Sequence, residues 1–253
     1  MVLQLSTKQP TERLCGFESL TFRYSNLIPV TTMILLLGDI HGDTNVLKKA
    51  VHTANDVGAE ALIQVGDFGM FKKSEPAFRE AIKYNSVPIY FIEGNHDDCQ
   101  RWIQLREVTR IWEDRNLFYV PRGTVMEIDG RMIAFMGGAA SIDKATRLHE
   151  GWHWDQYENI DPSEVLRLFE NAKDKTIDVL ITHDTPTSVT KAHFDDSAKL
   201  WFGVGKDWHD HNMDVIQTIW DKLGNPQIYC GHMHRSVIGP NYRILNIDEL
   251  LAI

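Results

Sequence analysis

Short runs of Ile, Leu and Val recur along the chain at residues 33–37, 62–65, 87–92, 177–181 and 227–230. They do not alternate with polar residues. A strand with one wet face alternates, so these runs read as strands of sheets covered on both faces. Each stops abruptly at a polar tail: Gly38-Asp39-Ile40-His41-Gly42, Gly66-Asp67-Phe68-Gly69, Gly94-Asn95-His96-Asp97, Thr182-His183 and Gly231-His232-Met233-His234.

Helical periodicity fills several of the gaps. Residues 45–57 carry Val46, Leu47, Ala50, Val51 and Ala54 on one face, and a second helix runs from residue 74 or 75 to 84 with Pro76 near its start. Asp161 and Pro162 open a helix to about residue 172, and residues 213–223 form another, closed by Gly224. Residues 117–120, 124–128 and 131–136 read as shorter strands that begin a second sheet, with Asp129-Gly130 as a hairpin turn. A terminal hairpin joins 236–238 to 242–247. Strands interleaved with helices make an α/β protein.

The polar tails lie at the carboxyl ends of buried strands, where open α/β sheets build their sites, so the five converge on one sheet edge. Their side chains suit metal ions. Asp39, His41, Asp67 and His234 would hold one ion, and Asp67, Asn95, His183 and His232 a second. Asp67 bridges, because a carboxylate has two oxygens and the ions of such pairs sit about 3.5–4 Å apart. Imidazole mixed with carboxylate favours Mn, Fe, Zn or Ni over an all-oxygen Mg or Ca cage, with Mn the ion expected.

Charge enters next. The chain carries a formal net charge of −9, which repels phosphate and argues against extended nucleic-acid binding. Two divalent ions against Asp39, Asp67 and one hydroxide leave the site locally positive, since Asn95 and neutral imidazoles add no charge. A small phosphorylated substrate fits that balance. Metal binding lowers the pKa of water from about 15.7 toward about 7, supplying hydroxide for in-line attack on phosphorus. The leaving oxygen then needs a proton. His96, next to Asn95, is the expected general acid, with Asp97 expected to orient its ring and raise its pKa.

The ordered set GDIHG, GDFG, GNHD, TH and GHMH resembles the calcineurin-like metallophosphoesterase superfamily over residues 34–234. The resemblance implies a four-layer α/β/β/α sandwich and carries over the eight ligand positions, Asp67 counted twice, together with His96. Protein serine/threonine phosphatases of that superfamily read GDxxDRG at the second motif, whereas Met70-Phe71-Lys72 follow Gly69 here, which disfavours that branch. The stretch Gly137-Gly138-Ala139-Ala140-Ser141-Ile142-Asp143-Lys144, with Arg147 and Trp152-His153-Trp154, resembles uncharacterised phosphoesterases of bacteriophages and bacteria.

Two long connections, 141–160 and 185–212, are rich in aromatic and charged residues and are expected to wall the pocket as loop insertions. Arg147 and Asn95 are the substrate-binding residues assigned. His209 and His211, beside Asp207 and Asp210, read as a solvated polar loop. Residues 33–253 form the expected single domain, and 1–32 read as an added arm or an upstream translation start, or equally as an ordered strand or arm packed through Phe17, Leu20, Phe22, Tyr24 and Leu27. Three unpaired-looking cysteines fit a reduced cytoplasm, and no run approaches the roughly 18 apolar residues of a membrane span. The expected activity is hydrolysis of a small phosphomonoester or phosphodiester, nucleotides included. The alternatives are a nuclease and a non-catalytic interaction scaffold on the same fold.

Overall fold

Odd and even residues of the first strand are buried in different cores. Ile34 and Leu36 of β1 (Ile34–Leu37) pack in one apolar cluster and Leu35 and Leu37 in another, so every residue of the strand is covered. The computed structural model describes residues 33–253, and the 1–32 segment lies outside them. In chain order β1 is followed by α1 (Thr44–Val57), β2 (Ala61–Gln64), α2 (Glu75–Ala81), β3 (Ile89–Phe91), α3 (Cys99–Trp102), β4 (Thr109–Arg110) and β5 (Leu117–Tyr119). Next come β6 (Val125–Ile128), β7 (Arg131–Met136), α4 (Lys144–Glu150), α5 (Pro162–Ala172), β8 (Val179–Thr182), α6 (Thr187–His193) and α7 (Ser197–Trp201). The last elements are α8 (His211–Lys222), β9 (Gln227–Cys230), β10 (Val237–Ile238), β11 (Tyr242–Ile244) and β12 (Leu250–Ala252).

These strands form two six-stranded sheets, ordered β12-β1-β2-β3-β5-β4 and β10-β11-β9-β8-β7-β6. The inner strands of each run parallel and both edges are antiparallel. Three cores separate four layers. Leu47, Ala50, Val51 and Ala54 of α1 and Phe78 of α2 cover the outer face of the first sheet. Ile34, Ile63, Ile133, Phe135, Val179 and Ile181 interdigitate between the sheets. Leu168 of α5 and Ile216 and Ile219 of α8 cover the outer face of the second. This is the expected α/β/β/α sandwich.

Several boundaries follow from side-chain chemistry. The Asp43 carboxylate accepts the Asn45 N–H at 2.8 Å and caps α1, which Gly58 ends in the left-handed region. Asp161 and Glu164 form a reciprocal capping box at α5. Three expectations need correction. Leu117–Tyr119 joins the first sheet beside β3 rather than opening the second, which starts at β6. The ligand-bearing strands divide between two facing sheet edges rather than sharing one: β1, β2 and β3 belong to the first sheet, β8 and β9 to the second. The two long connections contain α4, α6 and α7, helices of five to seven residues that are too short to show an apolar stripe.

The chain crosses between sheets at Arg122, buried to 1% exposure. Its Nε pairs with Glu93 Oε1 at 2.5 Å and its Nη1 with Glu164 Oε2 at 3.1 Å, while Tyr119 donates to Glu93 at 2.9 Å. Arg122 also donates to the carbonyls of Tyr157, Glu158 and Asn159. The end of β3, the crossover, α5 and the 157–159 turn are therefore tied to one guanidinium. Among the described residues no helix is long and apolar enough to cross a membrane. Removing one partner of a buried ionic network strands the others, so Arg122→Ala should lower unfolding free energy by about 3–5 kcal/mol in urea titration. A loss below about 1 kcal/mol would show that the hub is not what joins these elements.

Candidate metal centre

The ligand candidates follow their strand ends by one to four residues, and the sharp turns there show in the backbone. His41, Asp67, His232 and His234 have φ of 44°, 54°, 64° and 49°, a left-handed region that costs a non-glycine residue about 1–3 kcal/mol. Two glycines are required by close approach. A Cβ on Gly94 would lie 2.2 Å from Asp67 Oδ1 and 2.4 Å from His183 Nε2, and one on Gly231 would lie 2.1 Å from Asp39 Oδ1. At both positions the glycine makes room for the side chain of another ligand candidate.

The structure brings all seven ligand candidates together. One donor atom each from Asp39, His41, Asp67 and His234 lies within 4.8 Å of the other three. His234 Nε2 is 3.3 Å from Asp39 Oδ2 and 3.0 Å from His41 Nε2. On the other side, His183 Nε2 lies 3.3 Å from Asp67 Oδ1 and 3.2 Å from Asn95 Oδ1, and the rings of His183 and His232 are 5.1 Å apart. Asp67 is wholly buried and stands between the two groups. Its Oδ1 accepts the His96 N–H at 2.8 Å, but Oδ2, 3.8 Å from His41 Nδ1, has no hydrogen-bond partner among the described residues. A buried carboxylate oxygen without a donor, facing imidazole nitrogens, is what a cation would satisfy. The donor set fits divalent transition metals.

Protonation follows from the same crowding. Burial opposes charge on Asp67, yet His183 holds its carboxyl well below the ordinary range. Burial also opposes a proton on His183, but Asp67 outweighs it and pushes the ring up to about 10. The protonated His183 ring places a positive charge beside the Asp67 carboxylate. Burial, reinforced by the His183 cation, drives His232 down to about 3, leaving a neutral ring able to ligate. His183 Nδ1 faces the Val65 carbonyl at 3.0 Å, which fixes the ring and turns Nε2 to the centre.

Asp97 does not touch His96. Its carboxylate accepts the backbone N–H groups of Phe68 (3.1 Å), Gly69 (2.6 Å) and Gly94 (2.8 Å), clamping the loops that carry Asp67 and Asn95. Burial, with Asp67 nearby, lifts that carboxyl to about 7 against the pull of these donors. The carboxylate beside His96 is instead Asp143, whose Oδ2 is 3.7 Å from Nε2. The His96 pKa is not raised as expected. Burial pushes it down, and Asp67 and Asp143 counter only part of the loss.

Arg147 also differs from expectation. It is 3% exposed and does not line the cavity at the centre. Its Nη1 donates to Ser141 Oγ at 2.7 Å and to the Asn95 carbonyl at 3.1 Å, and its Nε to the His153 carbonyl at 2.8 Å. A guanidinium so fully engaged holds the 141–153 segment against Asn95 rather than meeting a substrate phosphate. Asn95 itself faces the cavity. Ser141 Oγ accepts from Asn95 Nδ2 at 3.1 Å and donates to Glu158 at 2.6 Å, which turns Asn95 Oδ1 toward His183.

Ser141, Asp143 and Glu158 are thus site residues that sequence reading missed, although the first two lie in the GGAAS segment it singled out. Asp184 and Asp210, both buried, each place a carboxylate oxygen within 4.8 Å of a His232 ring nitrogen. Asp210 Oδ2 accepts the Ala140 N–H at 2.9 Å, joining Asp210 to the same segment. His209, His211 and Asp214 also gather donors within 4.8 Å, all exposed, with His209 Nε2 bonded to Asp214 at 2.6 Å. A cavity of about 970 Å³ opens from the centre, with His41, Asp67, Asn95, His96, Asp143, His232 and His234 at its inner end.

Two facing sheets thus carry imidazole, carboxylate and amide donors near their parallel strand ends, the donor chemistry of a transition-metal site. Residues 32–236 match the family model of the calcineurin-like phosphoesterases, and the chain belongs to that family, whose members hydrolyse phosphate esters with metal ions. No curated protein matches the chain. Among solved structures it is similar to TT1561 of Thermus thermophilus, with a TM-score of 0.55 and 15% identity over 87% of this chain and 97% of that one. A phosphopantetheinyl hydrolase (PptH) from Mycobacterium tuberculosis aligns at a TM-score of 0.40 and 13% identity over 86% of this chain and 91% of that one. At such identities the TT1561 likeness extends to the fold alone.

An ion that takes His183 as ligand must displace its proton below about pH 10. Metal affinity should therefore climb with pH, by up to about tenfold per unit from this residue, in chelator competition between about pH 6 and pH 8. A flat profile would remove His183 from the ligand set.

Proposed function

We propose that residues 33–253 act as one catalytic domain hydrolysing small phosphate monoesters or diesters at two divalent ions. One ion would be held by Asp39, His41, Asp67 and His234, the other by Asp67, Asn95, His183 and His232, with Mn²⁺ as the working metal. The observation that carries the reading is Asp67, a fully buried carboxylate whose Oδ1 faces His183 at 3.3 Å and whose unpartnered Oδ2 faces His41 at 3.8 Å. Its two oxygens thus address two different ligand groups, which supports a bridging role.

When bound, such ions activate a water and neutralise charge on the phosphoryl oxygens. The protein's own groups do the rest. Asp97 keeps the Asp67 and Asn95 loops in register through three backbone N–H groups. Ser141 and Arg147 hold Asn95. The His96 ring, partly exposed at the inner end of the cavity, delivers a proton to the leaving oxygen, and Asp143 beside Nε2 favours the charged ring. The Asp143 carboxylate takes the part first assigned to Asp97.

Chelator-treated protein should lose turnover of p-nitrophenyl phosphate and bis-p-nitrophenyl phosphate, and Mn²⁺ should restore one or both. If metal-loaded protein with full occupancy turned over neither, a binding scaffold would replace the enzyme reading. His96→Ala should slow alkyl phosphate hydrolysis by about 10²–10⁴-fold while p-nitrophenyl phosphate, whose leaving group needs little protonation, falls far less. Equal losses on both substrates would sink the acid assignment.

A further inference from the structure

The cavity extends well past the phosphate chemistry. Its outer wall is built from α6, α7 and the turn before α8, and Phe194, Phe202 and Trp208 line it. A simple alkyl phosphate would leave most of its roughly 970 Å³ empty, whereas volumes of about 300–1,000 Å³ typify pockets for ligands with an extended organic body. Phe202 is 37% exposed, a large apolar side chain with a face free for contact.

Charge on this wall is selective. Lys199 is occupied by Asp196 at 3.0 Å and by the Lys206 carbonyl at 3.2 Å, and Asp195 accepts the Ser197 N–H at 3.0 Å. Arg235 is differently placed. It follows the ligand His234 directly, its guanidinium lies over the Phe194 ring at 5.7 Å, and its hydrogen bond to the His193 carbonyl is long, at 3.4 Å. A cation stacked on an aromatic ring within one residue of the metal centre can meet an anionic or hydroxyl-bearing group adjoining the scissile phosphate.

We propose that the substrate is a nucleotide, with its scissile phosphate at Asp67, Asn95 and His96, its sugar side at Arg235 and its base against Phe202 and Trp208. This deepens the phosphoesterase reading and rests on it. Every base offers a flat π-face that aromatic side chains can stack upon, and alkyl or polyol phosphates offer none. The reaction is the same hydrolysis: water loses a proton to solvent as its oxygen bonds to phosphorus, the P–O ester bond breaks, the leaving oxygen takes its proton from His96, and solvent returns a proton to that ring.

Two substrate pairs test this on the Mn²⁺-loaded full chain. The diester pair is thymidine 5′-(p-nitrophenyl phosphate) and methyl p-nitrophenyl phosphate, which share a scissile bond; the monoester pair is a nucleoside 5′-monophosphate and ethyl phosphate. In whichever pair is hydrolysed, the nucleoside member should have a kcat/KM at least about tenfold higher. Phe202→Ala and Trp208→Ala should each move that ratio toward one, and Phe202→Leu, which keeps bulk but removes the ring, should do the same if alanine compromises folding. Equal kcat/KM within a hydrolysed pair, or a preference that survives all three variants, overturns the nucleotide assignment and leaves the phosphoesterase reading intact. No turnover of any of these or of p-nitrophenyl phosphate overturns both.

Discussion

Three carboxylates, Asp39, Asp67 and Asp97, are buried to 1% exposure or less in one corner of the molecule, and the geometry around them is the answer to that concentration of negative charge. An isolated buried carboxylate is too costly to keep ionised, so each needs donors or cations on hand. Asp97 is met by three backbone N–H groups, Asp39 by the His232 N–H and the His234 ring, and Asp67 by His183 and the His96 N–H. The supply is uneven. Among the described residues Asp67 retains an oxygen with no donor, a residual demand that a cation would meet and a closed salt-bridge network would not leave. The left-handed ligands and the glycines without room for a Cβ are the conformational consequence of packing these groups so tightly.

The constraint spreads outward through the 137–160 segment. Ser141 and Arg147 fix Asn95, Asp143 stands beside His96, and the Ala140 N–H binds the Asp210 that lies near His232. The same segment is anchored below by Arg122, which takes the carbonyls of residues 157–159 while pairing with Glu93 and Glu164. The metal centre and the hub between the sheets are thus two ends of one polar network, joined by Glu158: its carboxylate holds Ser141 and its carbonyl accepts from Arg122.

Legibility in the sequence tracked how local each signal was. The five strands that lead to the candidate centre were readable because sheets buried on both faces demand unbroken apolar runs, and the convergence of their polar tails because each run stopped at Asp, Asn or His. Adjacent residues misled at His96-Asp97: the turn there sends the two side chains apart, Asp97 to the loops below and His96 to the cavity, so its carboxylate neighbour came from 47 positions away in the chain. Arg147 looked like a phosphate contact because a basic loop residue usually meets solvent; its burial depends on Ser141 and on the Asn95 and His153 carbonyls, partners that periodicity does not reveal. Leu117–Tyr119 was placed in the wrong sheet because strand composition is identical in both and only pairing to Ile89–Phe91 distinguishes them. The short helices of the outer cavity wall and β12 carried too few residues for either period to register.

That last strand reaches back across the whole chain. β12 pairs antiparallel with β1, the Glu249 carbonyl accepts the Gly38 N–H at 2.9 Å, and the Asp248 N–H donates to the carbonyl of Asp39 itself at 3.0 Å. The first ligand in the sequence is therefore buttressed by an element that follows every other one. Among the described residues the strand that pairs with this edge of β1 emerges only some two hundred residues later. Assembly of the candidate metal centre is thereby coupled to synthesis of a strand far downstream of its first donor.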